Sequence, residues 1–169
     1  NLFGEKGACG GCWCMYWRLK RKDFESQKGN GNKNAMKNLV QKDQVPAIMA
    51  YHDGKPVGWC SFAPRSEYPT LARSRILKPI DKKPVWSIVC FYIIKDYRKQ
   101  GLSTSLIQAA IDYVKSQGGK ILEAYPVQPK NDSMPAVFAW TGFPSAFEKA
   151  GFKEVARRSE TRPIMRYYI

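Results

Sequence analysis

The chain lacks most of the features that would place it quickly. Its longest apolar run, Ile88 to Ile94, has seven residues, against the ~20 that a membrane-crossing helix needs. No stretch of 20 to 50 residues repeats itself, which excludes solenoids and propellers. The opening residues, Asn1-Leu2-Phe3-Gly4-Glu5-Lys6, hold neither a starting Met nor a hydrophobic leader. The expectation is a trimmed native N-terminus, with part of the first element missing. Cysteines number five, at positions 9, 12, 14, 60 and 90. An odd count without a leader argues against a disulfide framework and for a reducing, cytoplasmic compartment.

Acidic residues are scarce. Only 14 Asp and Glu face 28 Lys and Arg, leaving a net charge of +14, so an anionic ligand or polyanion is expected. Otherwise the proportions are ordinary, with 44% hydrophobic, 13% aromatic and 25% charged residues among 169. That length fits one domain spanning 1–169, able to bury roughly 70% of its unfolded surface without disulfide or metal.

Strand-like runs at Val45 to Tyr51 and Val57 to Phe62, joined through Asp53-Gly54, predict a β-hairpin. Pro64 to Pro84, rich in Pro, Arg and Lys, reads as a long basic loop, either solvated or part of a substrate entrance. Val85 to Ile94 is apolar on both faces, as a strand in mid-sheet would be. After a break at Lys95 to Gly101, apolar residues at 106, 107, 110, 111 and 114 predict a helix, ended by Gly118-Gly119. A strand over Ile121 to Val127 then makes a right-handed crossover and a parallel pair. Gln128 to Pro144 is loop-like, Ser145 to Ala150 a short helix, and Phe152 to Arg158 and Pro163 to Ile169 are strands. Upstream, a helix over Asn34 to Gln41 follows a flexible turn at Gly29-Asn30-Gly31.

The chemistry sits where the central strand meets the helix. The first turn of a helix offers about four backbone N–H groups without intrahelical partners and roughly half a positive charge. Arg98, Lys99 and Gln100 flank that turn, Gly101 lets a ligand approach the backbone, and Ser103 and Thr104 can donate. A pyrophosphate suits such a place. Neither Gly-x-Gly-x-x-Gly nor Gly-Lys-Ser/Thr stands between Ile93 and Leu106, so the dinucleotide fold and the NTPase loop are excluded.

Arg98-Lys99-Gln100-Gly101-Leu102-Ser103, after an apolar strand, resembles the acetyl-CoA signature Gln/Arg-x-x-Gly-x-Gly/Ala of the GNAT superfamily of N-acetyltransferases. The hairpin before it, the helix and strand after it, and Phe147-x-x-x-Gly151-Phe152 extend the resemblance over Val45 to Ile169. Cys12-Trp13-Cys14-Met15 and Thr161-Arg162-Pro163-Ile164-Met165-Arg166 resemble segments of a largely uncharacterised bacterial group.

The resemblance implies an α/β fold whose largely antiparallel sheet has a central, splayed parallel pair flanked by helices. It implies acetyl-CoA as co-substrate, no metal, and direct attack by a primary amine of a small molecule or peptide. The pyrophosphate would lie on the amides of Lys99 to Thr104, and the pantetheine arm would follow Phe91, Tyr92 and Ile93, where a backbone N–H polarises the thioester carbonyl. A base and an acid complete the chemistry.

Here the chain departs from its relatives. Phe147 stands where many have the Tyr that protonates CoA, Trp140 where many have Asn, and Ser103 where Gly or Ala is usual. Glu123 and Tyr125, on one face of their strand by the period of two, are the candidate base and acid, or else a paired carboxylate and a core-edge Tyr. Trp13, Tyr16 and Trp17 wall an acceptor pocket or belong to the core. The Cys9 to Cys14 spacing invites zinc or redox chemistry, although the more distant Cys60, Cys90 or His52 would have to complete a metal site; the alternative is buried or substrate-lining thiols. The alternatives to an enzyme are a basic nucleic-acid-binding module and a catalytically weak CoA-binding sensor. No specific nucleic acid and no membrane is expected as partner, and the state is monomer or homodimer.

Overall fold

A computed structural model describes residues 2–130 and 134–169. Helices α1 (Arg21–Ser26) and α2 (Asn30–Gln41) come first. The β1 (Ala47–His52) and β2 (Lys55–Pro64) hairpin follows, then α3 (Pro69–Arg73), β3 (Trp86–Ile93), α4 (Leu102–Ser116), β4 (Ile121–Ala124), α5 (Pro144–Lys149), β5 (Lys153–Arg157) and β6 (Pro163–Tyr168). The six strands form one sheet in the order β1-β2-β3-β4-β6-β5. Every pair is antiparallel except β3 with β4, which is the mixed sheet with a central parallel pair that the sequence implied.

Local chemistry accounts for most of these elements. Asp53 and Gly54 take φ of +47° and +72°, the pair of left-handed residues that a tight hairpin turn needs. At the end of α4, Gly119 N–H bonds to Val114 C=O at 2.9 Å and Gly118 N–H to Lys115 C=O at 3.0 Å, closing the helix in a Schellman motif. Three expectations are corrected. The 64–84 stretch is no plain loop, since a 3-10 turn (Arg65–Glu67) and α3 fold within it. Helix α2 begins at Asn30, so the supposed flexible turn is its first turn. The β4 ladder stops at Ala124 rather than Val127, because its neighbour β3 has by then diverged.

Two apolar layers cover the sheet. On one face, Leu106, Ile107, Ala110, Ile111 and Val114 of α4 pack on Phe62, Ile88 and Leu122, with Phe147 and Phe152 beside them. Ile107 is fully buried, so Ile107→Ala would cost about 2–5 kcal/mol. The opposite face is covered by the N-terminal segment, whose Phe3, Cys14, Met15, Trp17 and Phe24 meet Trp59, Tyr68, Val89, Cys90 and Tyr125.

Candidate active site

The register of β3 creates the opening. Ser61 pairs with Cys90 and Phe62 with Ile88, so Val89 has no opposite residue and forms a bulge, which bends and twists a strand. The parallel ladder joins Trp86, Ser87 and Ile88 to Leu122, Glu123 and Ala124 and then ends. From Val89 and Tyr125 onward the two strands part. Ile94 N–H bonds to Val57 C=O, toward β2, and strand alternation turns the amides of Phe91 and Ile93 the other way, into the gap.

That gap is bridged by the chain itself. Phe91 N–H donates to Trp140 C=O at 2.6 Å, and across the gap Val127 N–H donates to Gly142 C=O at 2.9 Å. Ile93 C=O accepts from Arg98 Nε at 2.8 Å. The segment around Trp140 thus lies between the parting strands as a short surrogate strand. Phe147 is fully buried against Phe91 and Phe152 and serves the core.

At the far end of β3, Lys99 takes φ +60° and Gly101 φ +82°. Left-handed backbone is uncommon for a residue with a Cβ, and Gly101 relieves the second of the two turns. No side chain caps α4. A Cβ built on Gly101 would meet nothing within 4 Å, and Arg98, Lys99, Gln100 and Gly101 are exposed, with Leu102, Ser103 and Thr104 partly so. Gln100 Nε2 bonds back to Asp96 C=O at 2.7 Å. An open, cationic, uncapped helix start is chemically suited to a pyrophosphate.

Glu123 and Tyr125 lie together, as their spacing suggested, but inside a buried network. Glu123 is 1% exposed. Its Oε1 accepts from Arg65 Nη1 at 2.8 Å and from Tyr125 OH at 2.6 Å, and its Oε2 accepts from Arg166 Nε at 2.7 Å. Tyr125 OH also contacts Arg65 and lies 2.9 Å from Ser87 Oγ. Burial and the neighbouring carboxylate hold the Tyr125 phenol well above its usual range. Arg166 continues to Asp81 at 2.6 Å, and Arg65 Nη2 to Leu77 C=O at 2.6 Å. Arg158 adds bonds to the carbonyls of Ile76, Lys78 and Pro79. The basic excursion is therefore strapped to the sheet through this network. The expected role of Glu123 as a base meets a geometry in which both carboxylate oxygens are engaged and the residue is 1% exposed.

The aromatic residues divide. Trp17 is buried, while Tyr16, 39% exposed, stacks edge-on against Trp17, Phe24 and Trp140 at 4.9 to 5.5 Å. Trp13 packs on Phe3 and under Lys33. Among the described residues no three His, Cys, Asp or Glu side chains group as metal ligands. Cys14 and Cys90 are buried with their sulfurs 3.3 Å apart, Cys60 is buried, Cys12 half-buried and Cys9 exposed. His52 is exposed beside the hairpin turn. No helix of the described residues is long and apolar enough to cross a membrane. Arg65, Arg166 and the Trp140 carbonyl were not anticipated. The period-two spacing of Arg166 from the apolar Ile164 was the sequence trace that Arg166 lies on a covered face of β6.

A mixed sheet opening beside an uncapped glycine-started helix defines an acyltransferase-type fold. The acetyltransferase (GNAT) family model matches residues 13–143, and the chain belongs to that family. An uncharacterized N-acetyltransferase of Methanocaldococcus jannaschii is 28% identical over 87 residues, 52% of this chain and 34% of the relative. The match thus spans about a third of that relative's length. Among solved structures, the PaiA N-acetyltransferase of Thermoplasma acidophilum in complex with coenzyme A aligns with TM-score 0.52 and 16% identity, over 93% of this chain and 84% of its own. The ribosomal-protein-alanine N-acetyltransferase of Brucella melitensis aligns with TM-score 0.53 and 14% identity, over 92% and 84%. At such identities the likeness is one of fold.

Proposed function

We propose that this protein is an acetyl-CoA-dependent N-acetyltransferase that passes an acetyl group to a primary amine by direct attack in a ternary complex. The observation that carries the reading is the parting of β3 from β4 at the Val89 bulge, in line with the open start of α4. Acetyl-CoA would supply an acyl group activated as a thioester. Arg98, Lys99 and the amides of Gly101 to Ser103 hold the pyrophosphate, the Thr104 N–H being already bonded to Gly101 C=O at 2.9 Å, and Phe91, Tyr92 and Ile93 line the path of the pantetheine arm.

The Phe91 N–H is aimed into the gap and donates to the carbonyl oxygen there, lowering the cost of charge developing on it. It is bound to Trp140 in this structure, so residues around Trp140 yield when the site fills. Phe147 has no proton to give, and Tyr125 and Glu123 are committed to Arg65 and Arg166. We assign these two residues to positioning β4, and proton removal from the amine to water at the mouth of the gap.

The test is a melting scan with acetyl-CoA followed by a thiol-release assay with amines. A ligand at a hundredfold over its Kd adds about 2.7 kcal/mol of stability. The absence of any melting shift at millimolar acetyl-CoA would remove the reading.

A further inference from the structure

Four arginines of the described chain are withdrawn wholly or partly from solvent, and three of them carry acid partners. Arg18 pairs with Glu67 at 2.5 Å, Arg65 with Glu123 at 2.8 Å, and Arg166 with Asp81 at 2.6 Å and Glu123 at 2.7 Å. Arg162 is the exception. It is half-buried, and among the described residues its side chain makes one hydrogen bond, from Nη1 to Thr141 Oγ1 at 3.0 Å. A guanidinium has five donors in a planar fork, so most of this one's capacity is unspent. Burial without a carboxylate pulls its affinity for the proton down, with Tyr16 close enough to offset part of the effect. Buried charge is costly unless paired.

Its place gives the unspent capacity a use. Gln128 N–H bonds to Thr161 C=O at 2.9 Å, which sets Arg162 beside the continuation of β4, on the far wall of the gap from the α4 turn. Thr141, its partner, lies between Trp140, whose carbonyl takes the Phe91 amide, and Gly142, whose carbonyl takes the Val127 amide. Trp140 in turn stacks with Tyr16 and Trp17. A cationic fork and the aromatic cluster of Tyr16 and Trp140 thus stand together across the gap from the start of α4.

Resting on the transferase reading above, we propose that Arg162 recognises an anionic group, carboxylate or phosphate, carried by the acceptor amine. The acceptor is then a zwitterion, its anion held bidentately by the guanidinium and its amine directed toward the carbonyl at Phe91. The +14 chain attracts such a substrate at long range, and Arg162 supplies the selection at contact.

The experiment measures kcat/KM with acetyl-CoA for a panel of amino acids and aminoalkyl phosphates. Each is set against the same amine without its anion, tyrosine against tyramine and phosphoethanolamine against ethanolamine being two such pairs. The expected preference for an anionic member is about 10²-fold, since a site built for a polar group leaves its own polar atoms unpaired with the analogue lacking it. Arg162→Gln brings the ratio to about one, and Arg162→Lys recovers part of it, keeping charge and losing the fork. Which pairs respond distinguishes carboxylate from phosphate.

Both variants are first checked for a native melting transition and for the acetyl-CoA shift. Turnover of amines without anion preference, or with a preference that survives Arg162→Gln, overturns the inference and leaves the transferase reading standing. Loss of the acetyl-CoA shift in Arg162→Gln also overturns it, because the arginine would then serve the cofactor. Where acetyl-CoA binds but no panel member turns over, tryptophan fluorescence titration of the CoA-loaded protein with the same pairs decides, and equal binding within pairs overturns the proposal. Absence of any acetyl-CoA shift in the wild type removes the transferase reading itself.

Discussion

The amide of Phe91 donates to the carbonyl of Trp140 at 2.6 Å, so the backbone donor proposed above for a thioester carbonyl is satisfied by the chain's own loop. The bond has a partner across the gap, from Val127 N–H to Gly142 C=O at 2.9 Å. Together they hold residues 140–142 where a ligand's extended arm would pair.

Acetyl-CoA binding is therefore expected to loosen this loop while tightening the start of α4. Hydrogen exchange should slow over Gly101 to Ser105 and quicken over 139–142, and the fluorescence of Trp140 should change as its stack with Tyr16 and Trp17 is disturbed. Unaltered exchange over 139–142 in the saturated protein would mean that Phe91 is not the donor.

Gly101 separates backbone strain from ligand binding. Gly101→Ala places a Cβ at φ +82° and should cost about 1–2 kcal/mol of stability while retaining the acetyl-CoA shift, since a Cβ there meets nothing within 4 Å. Gly101→Glu should abolish the shift by bringing negative charge to the pyrophosphate position. A full shift in Gly101→Glu would place the phosphates elsewhere.

Glu123 tests structure against catalysis. Removing it strands Arg65 and Arg166 in the interior, and Glu123→Ala should cost about 3–5 kcal/mol, read by denaturant unfolding. A Glu123→Gln protein of wild-type stability with turnover down 10²-fold or more would restore the general-base role.

Asp81 supplies a pH dependence with a definite sign. Its bonds to Arg166 hold the carboxyl down to about 2, from an ordinary 3.8. A depressed folded value gives stability that is complete above the unfolded value and is lost as pH falls through the folded one. Wild type should therefore melt above Asp81→Asn at neutral pH, and the difference should close between about pH 4 and 2. A gap constant down to pH 2 would show that the Asp81 charge contributes nothing.

The thiols should react in order of burial. Exposed Cys9 is expected to react fast with a disulfide reagent and half-buried Cys12 slowly, its thiol pushed up by burial. Cys14, Cys60 and Cys90 should wait for denaturant. Stoichiometric zinc in the purified protein, lost with Cys12→Ser, would instead make the N-terminal segment a metal clip.

What the sequence determined by itself is what short-range physics encodes. The Asp53-Gly54 turn, the apolar stripe of α4 with its closing Gly118-Gly119, and the basic glycine turn at Arg98 to Ser103 are each specified within a few residues. Their positions follow from dihedral preference and periodicity alone. The tertiary structure decided everything that depends on residues distant in the chain. Arg65 reaches Glu123 across 58 positions and Arg166 reaches Asp81 across 85, and no local pattern announces either pair. The same holds for Trp140, read as a substitute for a cofactor-side Asn and found acting through its carbonyl, a group every residue possesses and no sequence distinguishes. Glu123 could be read as base or as paired carboxylate while its surroundings were unknown. Burying it between two guanidiniums gave it its partners, because a charge taken out of water must be matched by whatever the fold brings to it.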